Sequence, residues 1–173
     1  MSSFDDAFAF VIGEEGGLSM DPKDRGNWDS GIVGQGNLKG TKYGVSAMAY
    51  PGVDIANLTL EQAKAIFLRD YWTKIAGDAL PAPIALGVFD CAVNQGVSVA
   101  IVLLQKAVGV STDGILGAQT QQAARTTPVA TLAKRFTLAR IMRYTRSTLW
   151  LDDGPNWVSR SLDVLERMIS GPA

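Results

Sequence analysis

Apolar residues near the start of the chain recur at helical spacing: Phe4, Phe8, Val11 and Ile12 follow Ser3, a residue type that caps helix starts. Gly16 and Gly17 supply a stop, so the pattern predicts a first helix delivering Glu14 and Glu15 at its C-terminal end. From Leu18 to Lys42 the periodicity vanishes. That stretch is rich in Gly, Asp, Asn and Ser and reads as turns with a short hairpin, too polar to be core. Periodicity resumes at Thr59-Leu60-Glu61-Gln62, a capping-like start, with Ala63, Ile66, Phe67 and Tyr71 as the apolar stripe.

Pro81 and Pro83 then punctuate the chain, and Ile84 to Asn94 and Val97 to Val108 are apolar almost throughout. They read as two buried helices parted at Gly96. After the turn Asp113-Gly114-Ile115-Leu116-Gly117, helices are predicted over 118–125, 128–150 and 155–170. Leu132, Phe136, Leu138, Ala139, Ile141 and Met142 form the expected buried side of the second of these. The class is α+β, mostly α: a helical lobe and a small loop/β lobe, with a cleft between them as the simplest architecture. With no repeat, low-complexity tract or linker, residues 1–173 read as a single domain.

Composition narrows the chemistry. Of 173 residues 47% are hydrophobic, enough for a real core. Lys and Arg number 16 against 17 Asp and Glu, so no basic excess would follow a nucleic-acid backbone. There is no histidine, which removes Ser-His-Asp and Cys-His nucleophiles and His-ligated zinc. No metal or cofactor is called for, and the chemistry falls to carboxylates. Cys91, the single cysteine, sits in the apolar run GVFDCAV and reads as a buried hydrophobe. Asp5 and Asp6 ahead of a short apolar stretch make a poor signal peptide, so synthesis in the cytoplasm is expected.

Glycan hydrolysis needs a proton donor beside the leaving oxygen and a second polar group to position water or stabilise the oxocarbenium-like transition state. Glu15 ends an apolar helix and abuts two glycines, which admit a sugar chain close to the backbone. Glu14 is its rival, one helical step of about 100° around the axis. Asp24 follows nine positions after Glu15, and Asp29 is the rival for the second role.

Glu15-Gly16-Gly17, Asp24-Arg25-Gly26 and Thr41-Lys42-Tyr43-Gly44-Val45-Ser46 stand in this order around one Gly-rich segment. Asn57-Leu58-Thr59, Asp70-Tyr71-Trp72, Phe89-Asp90, Ala92-Val93-Asn94-Gln95-Gly96, Leu104-Gln105, Asp113 to Gly117 and Thr120 follow. This ordered set resembles the N-acetylmuramidases of glycoside hydrolase family 108, which include phage endolysins and proteins once called secretion activators. The resemblance implies a lysozyme-like fold and cleavage of the β-1,4 bond between N-acetylmuramic acid and N-acetylglucosamine, with Glu15 as the acid. The Glu, Asp, Thr order also looks like the triad of T-even phage-type lysozymes, which points to Asp24 and Thr41. Here Asn27 to Lys39 are inserted before Thr41, and Asp24 and Asp29 both stay in contention.

Tyr43, Asn94 and Gln95 are candidate sugar contacts, although Asn94-Gln95-Gly96 reads equally as a helix end with its cap. About 84–170 resembles a peptidoglycan-binding module and is expected to be integral to the same fold. Lys134, Arg135, Arg140, Arg143 and Arg146 raise a weak contact with anionic lipid or lipopolysaccharide, against the plainer account of a solvated helix face. Trp157 with Arg160 is expected to seal the core. The whole reads as a monomeric endolysin acting on peptidoglycan glycan strands, held in the host cytoplasm until a holin opens the membrane and lysis follows. A lytic transglycosylase and a non-catalytic wall-binding or phage structural module are the alternatives.

Overall fold

In the computed structural model, residues 3–13 and 17–171 are described, and Glu14, Glu15 and Gly16 lie outside them. The chain divides into two compact units, one of residues 8–68 and one of residues 1–7 with 69–173. Helix α1, Ser3–Ile12, contributes to both. It stops at Gly13, whose N–H donates to Ala9 O at 3.0 Å, rather than running on to the Gly16-Gly17 pair.

The residue 8–68 unit is built largely of turns. Its two-stranded antiparallel sheet pairs β1, Thr41–Lys42, with β2, Val45–Ser46. Tyr43 and Gly44 join the strands with φ of 50° and 73°, the two-residue geometry that follows the natural strand twist. A Cβ on Gly44 would stand 3.1 Å from Phe67 and 3.2 Å from Ile12, so sterics demand glycine there as much as φ does. Ser19 bridges to Thr41 and Trp28 to Leu38, extending the ladder on either side of the Gly-rich loop. This segment is not wholly outside the core: Asn27 is fully buried, with its Nδ2 donating to Asp21 O at 3.0 Å. Helix α2, Leu60–Phe67, opens on Thr59 with the full capping box, Thr59 and Gln62 each bonding the other's backbone. Phe67 meets Phe8 edge to face at 5.5 Å.

In the other unit the chain continues from α2 as a π turn, Leu68–Trp72. The wider turn moves the apolar stripe on by a residue, so Trp72 rather than Tyr71 is buried. Helix α3, Ala82–Gln95, is the centre: Ile84 through Ala92 are all buried. Around it pack α4, Val97–Val108, α6, Val129–Tyr144, and α7, Trp150–Ser170, while α5, Ala118–Thr126, lies on α4. A Cβ on Gly87 would fall 2.3 Å from the Met168 sulfur, so the glycine is what admits α7 to this face of α3. Phe4, Trp72 and Phe89 form an aromatic cluster with centroids 5.4 to 5.9 Å apart.

The helix expected over 128–150 ends at Tyr144, and the one expected from 155 begins at Trp150. Pro155 marks no helix start. It lies inside α7, where it has no N–H to donate to the carbonyl of Leu151, a residue 90% exposed. Leu138 and Met142, expected inside, are 60% and 52% exposed. No helix among the described residues is long and apolar enough to cross a membrane.

Candidate active site

Glu15, the expected acid, and its rival Glu14 lie outside the described residues. The geometry that can be read belongs to the loop and sheet after them. Asp24 caps a short 3-10 turn, Arg25–Asn27, its Oδ1 accepting from Gly26 N–H at 2.8 Å. The side chain is exposed, and Oδ2 has no partner among the described residues. Asn27, at the end of that turn, accepts from both Lys39 N–H at 2.9 Å and Gly40 N–H at 3.0 Å. Met48 N–H donates to Gly26 O at 3.0 Å. These bonds tie the Asp24 turn to residues on both sides of the β1–β2 hairpin, and so bring it into one backbone network with Thr41.

Thr41 exchanges both backbone bonds with Ser19, at 2.8 and 3.0 Å, and pairs with Ser46 on its other side. It is the central rung of this small ladder, half-buried, with a hydroxyl that no described residue engages. Tyr43 stands at the hairpin tip, and the Lys42 ammonium lies 5.4 Å from its ring centroid while donating to Ala56 O at 3.0 Å.

Asp29 is in the opposite situation to Asp24. Its Oδ1 accepts from Asn37 N–H at 2.9 Å, its Oδ2 from Asn37 Nδ2 at 3.0 Å, and Lys39 Nζ is 3.1 Å from Oδ2. The Asn37 backbone and side-chain hydrogen bonds, with Lys39, lower its pKa from 3.8 to about 2. Both oxygens are committed to closing the loop.

Asn94 and Gln95 belong to the helical unit. Asn94 Nδ2 donates back to Asp90 O at 2.7 Å, and Gly96 forms the end of α3 and the start of α4, so the helix-end reading describes a real feature here. Gln95 has its amide nitrogen and oxygen buried without a hydrogen-bond partner among the described residues.

Sequence reasoning missed the centre of this unit, the fully buried Asp90. Arg140 Nη1 donates to its Oδ2 at 2.6 Å, and Arg160 donates to its Oδ1. Arg140 is itself 1% exposed, so it leaves the basic face expected of Lys134, Arg135, Arg140, Arg143 and Arg146. The signal was present in Phe89-Asp90, an acid within an apolar helix, which demands a buried cation. Tyr144 stacks on Trp157 at 4.8 Å beside this clamp. Gln105 organises the Asp113–Thr120 segment: its Nε2 donates to Asp113 Oδ1 and Ile115 O, at 2.6 and 3.0 Å, and its Oε1 accepts from Gly114 N–H. Burial pushes the Cys91 thiol up to about 12, leaving it inert. Among the described residues no set of carboxylates with Cys91 gathers as a metal ion would need.

The family model for Glycosyl hydrolase 108 matches residues 8–96, a span that includes Glu15, Asp24, Thr41, Tyr43, Asn94 and Gln95. The solved structure of Brucella abortus SagA is similar to 97% of this chain and 94% of its own, with a TM-score of 0.80 and 30% sequence identity. No curated protein matches. The fold class is therefore α+β, mostly α, and lysozyme-like. With motif order and fold in agreement, the chain belongs to glycosyl hydrolase family 108 and is a glycoside hydrolase directed at peptidoglycan.

Proposed function

We propose that the chain is an N-acetylmuramidase that hydrolyses the β-1,4 bond between N-acetylmuramic acid and N-acetylglucosamine. Glu15 donates a proton to the glycosidic oxygen, and Asp24 with Thr41 holds the attacking water on the opposite face of the sugar. The observation that carries the assignment is the contrast between the two loop carboxylates. Asp24 keeps one oxygen anchored on Gly26 N–H and the other open, which suits a group that must orient water. Asp29 has no oxygen to spare. The unengaged Thr41 hydroxyl, on a strand tied to the Asp24 turn, supports its part in the same task.

Attack from the face opposite the leaving group inverts the anomeric centre. The expected first product is the α-anomer, read by NMR in the first minutes of cleavage; a β-anomer would sink the inverting arrangement. In the cell the enzyme is an endolysin, kept in the host cytoplasm and reaching the wall through a holin, where cutting glycan strands lyses the bacterium. Anhydro-ended fragments would make it a lytic transglycosylase instead, and wall binding with no cleavage would make it a binding module.

A further inference from the structure

The proposed chemistry leaves one large concavity unused. Within the helical unit, α4, α6, α7 and the turn between the last two enclose a groove of about 770 Å³. Its charged lining is Lys106, Arg143 and Arg146, with no Asp or Glu among the lining residues. All three are exposed, and none has an ion-pair or side-chain hydrogen-bond partner among the described residues. Nearby Arg140 and Arg160, by contrast, share Asp90 as their counter-ion. Three unpaired like charges around one groove repel each other, and a complementary anion removes that repulsion. The groove also carries apolar surface from Val99, Val102 and Met142, and its lining includes Gln95, whose amide nitrogen and oxygen are buried without a hydrogen-bond partner among the described residues.

We propose that this groove binds the peptide stems of peptidoglycan, with Lys106, Arg143 and Arg146 gripping stem carboxylates and the apolar wall taking alkyl portions. The inference rests on the peptidoglycan reading for the ligand's identity, and on the groove's own charge for its class. Glycan whose lactyl groups are in amide linkage to stems is neutral and gives three cations nothing to bind, whereas the stem peptides themselves carry several carboxylates and an amide backbone. Arginine forks engage carboxylates with two parallel hydrogen bonds, which gives direction as well as attraction. The lining is concave, while a bilayer presents a flat surface.

The test is an NMR titration of the full chain with the tetrapeptide L-Ala-γ-D-Glu-meso-diaminopimelate-D-Ala. Saturable shifts are expected at Gln95, Lys106, Arg143 and Arg146. Affinity is expected to fall at least tenfold in Lys106→Glu and in Arg143→Glu with Arg146→Glu, each checked for a native-like amide spectrum. The same loss is expected when wild type meets the tetrapeptide with its carboxylates amidated, an arm that needs no variant. Equal binding of the amidated peptide, or shifts confined to other residues, would overturn the proposal. So would phosphatidylglycerol vesicles that displace the tetrapeptide, since the groove would then be a lipid site. A wild type that cleaves sacculi yet shows no tetrapeptide shifts removes the groove and spares the muramidase reading. One that binds the tetrapeptide and cleaves nothing does the reverse.

Discussion

Asp24 and Asp29 share one loop and one residue type and differ in their hydrogen bonds, the contrast on which the proposed roles rest. Replacing Asp24 with Asn keeps the bond from Gly26 N–H but removes the charge proposed to orient water. Activity on peptidoglycan is expected to fall on the order of 100-fold or more, with the melting temperature unchanged. Asp29→Asn should do the opposite, lowering thermal stability while leaving most activity at low temperature. A D29N enzyme as dead as D24N would contradict this assignment. Because the Asn37 hydrogen bonds and Lys39 hold the Asp29 pKa at about 2, below its ordinary 3.8, its stabilising effect is fully present above about pH 4. That effect is lost as pH falls through about 2. The protection factor of the Asn37 amide, its exchange rate compared with the intrinsic rate at each pH, should fall as pH drops over that interval and stay constant above it. The sequence reading favoured Asp24 and kept Asp29 as its rival, and it had no means of seeing the partners that occupy Asp29, which come from the far arm of the loop.

At the scale of elements, α3 is held by its one buried carboxylate. Asp90 joins α3 to α6 through Arg140 and to α7 through Arg160. Asp90→Asn would leave the Arg140 guanidinium buried without a counter-charge, at a cost of about 3–5 kcal/mol by urea denaturation. A loss under about 1 kcal/mol would mean that the clamp contributes orientation and little stability. Helix positions were largely legible: α2 with its Thr59 box, the α3–α4 break at Gly96 and α5 follow from periodicity and capping residues. What misled was local chemistry overridden by context. Pro155 looks like a first helical residue, yet α7 starts a turn earlier. The π turn at Leu68–Trp72 shifts the buried position by one, which a fixed helical period has no means of showing. Leu138 and Met142 carry the right apolarity for a core and point out of it, so hydrophobicity alone did not mark the buried face of α6.

For the whole molecule, the ordered motifs carried the family, and the structure explains several of them physically. Asp24-Arg25-Gly26 is a capped turn, Tyr43-Gly44 a hairpin tip, and Gln105 with Asp113-Gly114-Ile115 a hydrogen-bonded knot. These are local arrangements whose residue types are demanded by geometry, which is why they read so clearly from sequence. The clamp on Asp90 and the unpaired cations of the α4, α6 and α7 groove join residues far apart in the chain, and no local pattern announces them. The central claim is the proposed chemistry, in which this glycoside hydrolase would cut on the muramic acid side with Glu15 as its acid. Purified wild type and Glu15→Gln should be incubated with peptidoglycan and the soluble products identified by mass spectrometry. Fragments with reducing N-acetylmuramic acid ends from wild type, and at least a 1,000-fold lower yield from the variant, are the predicted result. Fragments with N-acetylglucosamine or anhydro ends, or equal release by Glu15→Gln, would contradict it.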